Sequence, residues 1–268
     1  MSVAVLCNLS DGVIIGVDSA LTVTSANGVE RVFEDGGKLF QIGKKLGVAT
    51  FGLAGLGGRS IGSFLHEFEG THQGFEEWPI PETVESLRDF FVTKYKEAVA
   101  EAYGKPFEEV TETSWQTTGL VVVGYSPGSY LSEAWEIRIP DHVEPGSSRQ
   151  VYKPGSFGLA WFALSDPIER YLYGISLQGL GEIADYVKEL LNRDLTAEEY
   201  GKLLDIRRGQ AYQVMTDSMP VKTGIAYVRY LVNHVIAHYR FTEPHPTVGG
   251  KAQIGVITYR GGEFEISE

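Results

Sequence analysis

Ser2 is the first residue of the chain that could do chemistry, because it directly follows the initiator Met. A small second residue such as Ser normally permits removal of that Met, which would leave Ser2 with both a hydroxyl and a free α-amine. A free α-amine has a pKa of about 7.7–8.0, so at neutral pH it can take a proton from a hydroxyl that is a weak nucleophile by itself. Ser2 is therefore a candidate N-terminal nucleophile.

Three later residues could support that nucleophile. Asp18 ends the second apolar run of the chain and Lys38 begins the third. A Lys beside Ser2 would lower the pKa values of the Ser2 hydroxyl and amine, and Asp18 would hold Lys38 charged and oriented. Gly52 ends the fourth run, where a bare backbone N–H could approach a developing oxyanion. Each residue also has an ordinary interpretation: a surface ion pair for Asp18 and Lys38, and a turn for Gly52.

The elements that must position these residues are short strands. Apolar, β-branched runs predict strands over residues 3–9, 12–18, 38–42 and 46–53. Asp11-Gly12, between the first two runs, is a strong hairpin signal. The front of the chain is thus a sheet built from hairpins, with the candidate residues at strand ends.

The remaining pattern alternates blocks of helices and blocks of strands. Helical periodicity and caps predict helices over 58–69, 81–103, 181–192, 196–215 and 221–239, the fourth opened by a capping box from Thr196 to Glu199. Further strands are predicted over 119–125, 130–139, 150–153, 157–164, 251–259 and 263–266. Segregated blocks are typical of an α+β fold with helices outside paired sheets. No linker separates the halves, which indicates a single domain over 1–268.

Composition narrows the function classes. The chain has a net charge of −12 and no clustered cations, which argues against a nucleic-acid partner or an anionic membrane partner. Cys7 is the only cysteine, so neither an intrachain disulfide nor a cysteine-based metal cage can form. A signal peptide and an apolar span of about 18 residues are both absent from the sequence. We expect a soluble, cytoplasmic protein.

Two other motifs lack residues that their functions would require. His234 and His238 lie one helical turn apart, as in zinc proteases, but the residue that should be the general-base Glu is Val235. The glycine-rich stretch 52–60 lacks the first Gly and the Lys of a phosphate-binding loop. We therefore expect no metal at the histidines and no phosphate site at the glycines.

The combined pattern resembles the proteasome β-type subunits, an N-terminal-nucleophile hydrolase family with bacterial HslV and Anbu types. The pieces that carry the resemblance are Ser2, Gly12, GVDS at 16–19, KLFQI at 38–42 and VATFG at 48–52. Two later pieces, PGSFGLAWFALSD at 154–166 and VGGKAQIGVIT at 248–258, resemble the family's Gly-Ser strand and its closing strands. The resemblance covers most of the chain, with extra helical sequence around 178–218.

The resemblance implies a four-layer αββα sandwich and hydrolysis of a peptide or amide substrate through an acyl-enzyme, without metal or organic cofactor. It implies that Ser156 and Asp166 support the Ser2 amine, and that Thr50 is a small residue of the substrate pocket. It also implies homo-oligomeric rings or ring-like stacks.

The chain departs from the family pattern in two respects. Its nucleophile is Ser, where Thr is usual, and the family's Arg-Asp-x-x-Ser before the Gly-Gly turn is missing. His245 falls where the acid belongs, with Glu243 and Thr247 as displaced candidates. Two rival functions follow: a non-catalytic, self-assembling scaffold subunit, and a small-molecule amidase on the same fold.

Overall fold

The computed structural model describes residues 2–25, 28–110, 117–141, 146–242 and 247–265. Its strands are β1 (Val3–Asn8), β2 (Val13–Val17), β3 (Leu21–Ser25), β4 (Gly28–Phe33), β5 (Leu39–Ile42), β6 (Leu46–Gly52), β7 (Gly55–Leu56), β8 (Arg59–Ser60), β9 (Thr118–Gly124), β10 (Glu133–Ile139), β11 (Ser147–Tyr152), β12 (Gly158–Ala163), β13 (Gln253–Thr258) and β14 (Gly261–Glu265). Its helices are α1 (Ile61–Thr71), α2 (Ile80–Tyr103), α3 (Asp166–Tyr173), α4 (Leu177–Leu191), α5 (Ala197–Gly209) and α6 (Val221–Thr242).

The chain divides into two compact units. The first comprises Met1–Ala163 and Thr216–Glu268 and holds all the strands together with α1, α2 and α6; the second, Leu164–Met215, holds α3, α4 and α5. Among the described helices, none combines the length and apolar character needed to cross a membrane.

Two five-stranded antiparallel sheets form the centre of the first unit. The first sheet has the order β12-β1-β2-β13-β14, and the second has the order β11-β10-β9-β6-β5. Side chains alternate along a strand, so each strand serves two faces. In β2, Val13, Ile15 and Val17 pack against residues of the second sheet, whereas Gly16 lies under Val228 of α6. A strand covered on both faces is apolar throughout, which explains the unbroken hydrophobic runs of β1 and β2.

Helices cover the outer faces of both sheets. Helices α1 and α2 pack on the second sheet through a shared apolar cluster, whose fully buried members include Phe68, Leu87, Phe91, Leu120 and Val122. Helix α6 packs on β1, β2 and β13 of the first sheet. The predicted combination of helices and hairpin-built antiparallel sheets is confirmed.

The second unit is held by one buried ion pair. Glu169 of α3 accepts a hydrogen bond of 3.0 Å from Arg207 of α5, and both residues are buried. Arg207 also donates to the Ile175 carbonyl and lies over the Tyr173 ring. The predicted capping box of Thr196 and Glu199 opens α5.

The sequence prediction lacked the hairpin of β3 and β4, the short strands β7 and β8, and helix α3. Strands β3 and β4 form a separate hairpin inside the segment between Asp18 and Lys38, which has alternating β-branched residues but was expected to be a loop. Helix α3 has only eight residues, too few for helical periodicity to be visible.

We expect Phe91→Ala to lower the free energy of unfolding by about 3–5 kcal/mol, because it removes a fully buried ring from the cluster beneath α2. Urea denaturation measures the loss. Phe241→Ala is the matched control, since Phe241 is 84% exposed and its removal should change stability by less than about 0.5 kcal/mol. Equal losses in the two variants would contradict the assignment of the core.

Candidate active site

The two sheets bring Ser2, Asp18 and Lys38 together from different directions. Ser2 precedes β1 and Asp18 follows β2, and the antiparallel pairing of Ala4 with Val17 places these strand ends side by side. Lys38 precedes β5, at the edge of the other sheet. The cluster therefore joins the ends of three strands across the gap between two sheets.

The contacts within this cluster are short. Lys38 Nζ lies 2.9 Å from Ser2 Oγ and 3.0 Å from each carboxylate oxygen of Asp18. Ser2 is 2% exposed, Asp18 is fully buried and Lys38 is 4% exposed. The predicted meeting of a hydroxyl, an ammonium and a carboxylate is present, and it is buried rather than a surface ion pair.

Asp18 is fixed by the backbone as well as by Lys38. Its Oδ1 accepts the Val3 N–H at 3.1 Å, and its Oδ2 accepts the N–H groups of Ala20 and Gly249, each at 3.2 Å. A buried carboxylate is stable only when its oxygens are paired and hydrogen-bonded. With five hydrogen bonds, Asp18 is a rigid anchor for the Lys38 ammonium.

Burial favours the neutral form of Lys38 over the charged form. Desolvation lowers the pKa of Lys38, and the attraction and hydrogen bonds of Asp18 oppose that shift without cancelling it. A lowered pKa increases the fraction of neutral amine near neutral pH. The neutral amine can accept the Ser2 hydroxyl proton across the observed 2.9 Å contact.

The hydrogen-bond pattern of β6 indicates the direction of the Gly52 N–H. Along β6, Thr50 donates its N–H to the Lys38 carbonyl at 2.8 Å, and Leu53 donates to Thr117 on the opposite side. Successive N–H groups of a strand alternate between its two neighbours, so the Gly52 N–H faces the Lys38 side. Gly52 has φ +82°, and a Cβ there would lie 1.9 Å from the Thr117 carbonyl oxygen. Only glycine fits this conformation.

A pocket of about 30 Å³ opens beside the cluster. Its lining includes Ser2, Lys38, Thr50 and Gly52, together with Leu21 and Thr22. Thr50 is buried, and the bond from its N–H to Lys38 ties the pocket wall to the lysine.

Ser156 does not belong to the site, and the role inferred from the resemblance is wrong for it. It is exposed in the turn before β12, and its carbonyl accepts a 2.6 Å hydrogen bond from Asn8, at the far end of β1. A six-residue strand spans about 20 Å, so Ser156 lies too far from Ser2 to support its amine. Antiparallel pairing instead places Ala163, the last residue of β12, opposite Val3.

The other predicted residues have different outcomes. Asp166 opens α3 in the second unit and accepts a 2.6 Å hydrogen bond from Arg170; its role at the amine stays a prediction. Glu243 and His245 lie outside the described residues. Thr247 is buried, and its hydroxyl has no hydrogen-bond partner among the described residues.

Sequence reasoning missed Ser19, which holds the neighbouring loops in place. Its hydroxyl donates to the Glu34 carbonyl and accepts the Lys251 N–H at 2.8 Å. Gly250 has φ +71°, and a Cβ there would lie about 2.1 Å from the Glu34 carbonyl oxygen and 2.2 Å from Ser19 Oγ. The Gly-Gly pair and the GVDS motif at 16–19 mark the two sides of this close approach in the sequence, but neither motif indicates that the Ser19 hydroxyl bridges Glu34 and Lys251.

The described residues contain no group of three or more His, Cys, Asp or Glu side chains arranged to hold a metal ion. By sequence, the chain matches no family profile and no curated protein. Among solved structures, it is similar to a mutant Anbu from Hyphomicrobium sp. strain MC1, with a TM-score of 0.49 and 12% identity over 100% of this chain and 86% of that chain. The roles of Ser2, Asp18 and Lys38 therefore rest on the geometry of this chain.

We expect Asp18→Asn to lower the free energy of unfolding by about 3–5 kcal/mol, because it leaves the buried Lys38 charge without a counter-charge. The double variant Asp18→Asn/Lys38→Met, which removes that charge, should recover part of the loss. Chemical denaturation of both variants checks this. A double variant less stable than Asp18→Asn would show that the unpaired lysine is not the cause.

Proposed function

We propose that the chain is an N-terminal-nucleophile amidohydrolase with the four-layer αββα architecture of proteasome-like peptidases. Removal of the residue ahead of Ser2 would free its α-amine. The observation that carries the proposal is the 2.9 Å contact between Lys38 Nζ and Ser2 Oγ, backed by Asp18 and adjoining a pocket. Assembly into ring-like stacks and a cytoplasmic location are part of the same proposal.

In the proposed acylation, Lys38 takes the role of base that the sequence analysis gave to the Ser2 α-amine, because Lys38 Nζ lies 2.9 Å from Ser2 Oγ and burial lowers the pKa of Lys38. Neutral Lys38 takes the proton from Ser2 Oγ, and the oxygen attacks the carbonyl carbon of the amide. The electron pair of the carbonyl moves to its oxygen, and the Gly52 N–H stabilises that oxyanion. When the tetrahedral intermediate collapses, the carbon–nitrogen bond breaks and the leaving nitrogen takes a proton from Lys38. Asp18 stabilises the ammonium that exists between these two transfers.

Deacylation completes the cycle with water. A water molecule loses a proton to Lys38 or to the freed Ser2 α-amine and attacks the ester. The same Gly52 N–H stabilises the second oxyanion, and Ser2 Oγ leaves as it regains the proton. The products are a carboxylic acid and an amine, and neither acylation nor deacylation needs a cofactor.

The size of the pocket favours a second candidate on the same site. A pocket of about 30 Å³ holds one small acyl group, whereas sites for drug-sized ligands measure about 300–1,000 Å³. A small-molecule amidase would use the same Ser2, Lys38 and Gly52. Turnover of short acyl amides without cleavage of peptides would select this candidate.

We expect an electrophilic acyl probe, such as a peptide β-lactone, to add its mass to Ser2 in protein whose first residue is Ser2. Ser2→Ala should abolish the adduct, and Lys38→Met should slow its formation by about 10²- to 10⁴-fold, because the general base is lost. Mass spectrometry of the intact protein measures both the adduct and the N-terminus. Ser156→Ala is the matched control, since it removes an exposed serine far from the site, and it should react like the native protein.

Two outcomes would overturn the proposal. One is protein purified from its own host that keeps the residue ahead of Ser2. The other is equal labelling of Ser2→Ala and the native chain. Either would favour the non-catalytic scaffold.

A further inference from the structure

Lys38 lies at the end of a segment with little structure of its own. Residues 35–38 belong to no helix or strand, and two of them are Gly36 and Gly37. Glycine adds backbone freedom, so such a segment takes one path only when contacts from elsewhere fix it. The position of Lys38 Nζ relative to Ser2 therefore depends on what holds this segment.

Gln253, the first residue of β13, holds the segment at two points. Its Nε2 donates to the Gly36 carbonyl at 3.0 Å, and its Oε1 accepts the Lys38 N–H at 3.1 Å. An amide nitrogen donates and an amide oxygen accepts, so these two partners permit a single orientation of the carboxamide. The side chain spans both sides of Gly37.

The backbone beneath Gln253 belongs to the sheet that carries the nucleophile. Gln253 pairs in register with Val17, and Asp18 is the next residue. On its other side, Lys38 is bound to the second sheet, because its carbonyl accepts the Thr50 N–H at 2.8 Å. The first sheet also holds the segment at Gly36, whose N–H donates to the Ser19 carbonyl at 2.8 Å. Gln253 is the contact from the first sheet that reaches the Lys38 N–H itself.

We propose that Gln253 is a positioning residue, which sets the Lys38 ammonium against Ser2 and Asp18 by fixing the main chain of residues 36–38 to the first sheet. This inference rests on the proposed function for its catalytic consequence, but the coupling of Gln253 to Lys38 is independent of it. Without the two hydrogen bonds, the Gly36 N–H still binds the Ser19 carbonyl, but the Lys38 N–H loses its link to the first sheet. Lys38 can then shift away from Asp18, and water reaches the ammonium.

The charged and polar groups around the Lys38 ammonium determine its pKa, which a pH titration would measure. Asp18 presents a carboxylate from the end of β2, and Ser2 presents a hydroxyl and, once freed, an α-amine. The neighbouring residues of β6 and β13, Thr50 and Gln253, are neutral. The side chains of Glu34 and Asp35, which precede Gly36 in the chain, are exposed. Because burial lowers the pKa of Lys38, entry of water would raise that pKa toward its ordinary value.

The test compares Gln253→Met, which keeps the length of the side chain and loses both hydrogen bonds, with Gln41→Met. Gln41 is the matched control, since its carboxamide also holds a glycine-containing turn, by donating to the carbonyls of Gly43 and Lys44 at the far end of β5. Gln253→Asn, one carbon shorter, is the second variant if Gln253→Met does not fold.

The first measurement is the pH titration of the full chain labelled with ¹³C at the lysine ε-carbons, in which Lys38→Met assigns the Lys38 signal. We expect Gln253→Met to raise the titration midpoint of Lys38 by about one pH unit and Gln41→Met to leave it unchanged. A Gln253 variant that loses stability while its Lys38 midpoint stays at the native value would overturn the inference, because the glutamine would then be merely structural.

The second measurement separates this inference from the proposed function. In Gln253→Met, we expect acylation of Ser2 at saturating probe to slow by about 10- to 100-fold while the probe concentration at half-saturation is unchanged, since the base is misplaced and the pocket is intact. If the native chain forms no adduct at Ser2, the proposed function fails. The lysine titration then still decides whether Gln253 positions Lys38.

Discussion

The ion pair between Lys38 and Asp18 is the interaction on which the rest of the site depends. It is buried, it bridges two sheets, and it places an ammonium 2.9 Å from the Ser2 hydroxyl. Burying two charges costs several kcal/mol per ion unless each finds its hydrogen-bond partners. The fold meets this cost locally, with three backbone N–H groups on Asp18 and a serine hydroxyl on Lys38. A pair held in this way is rigid, and rigidity is what a base needs toward its nucleophile.

The need to bring main-chain segments close together explains the glycines around the site. Gly52 and Gly250 both have positive φ, and a Cβ at either position would overlap a carbonyl oxygen. Each allows two backbone segments to approach more closely than side chains would permit. At Gly52 this closeness brings the end of β6 against the Thr117 carbonyl, and at Gly250 it brings the loop that binds Asp18 against Ser19. The glycines thus shape the site through the main chain.

The sequence was sufficient to predict the site residues that combine a reactive side chain with a position at the end of a predicted strand. Ser2, Asp18 and Lys38 were predicted to meet because a hydroxyl, a carboxylate and an ammonium at adjoining strand ends suit one reaction, and the hairpin signal at Asp11-Gly12 paired β1 with β2. The prediction failed for Ser156 because a strand pattern does not say which end of the strand lies beside the site. That choice belongs to the antiparallel register, which sets Ala163 opposite Val3. Ser19 and Gln253 lie inside the motifs GVDS and VGGKAQIGVIT, but a motif does not say which loop a polar side chain will contact, so neither received a role.

Because the site is divided between two sheets, the distances between its residues depend on how the sheets pack. Ser2 and Asp18 move with the first sheet, and Lys38 lies at the edge of the second, so any sliding of one sheet on the other changes the distance between Lys38 and Ser2. Interdigitated apolar side chains resist such sliding, because close-packed interiors have few voids to absorb a shift. Phe51 and Phe162 illustrate this, with their rings stacked 6.2 Å apart between the sheets. The apolar core between the sheets therefore does more than stabilise the fold: it sets the distance between Lys38 and Ser2.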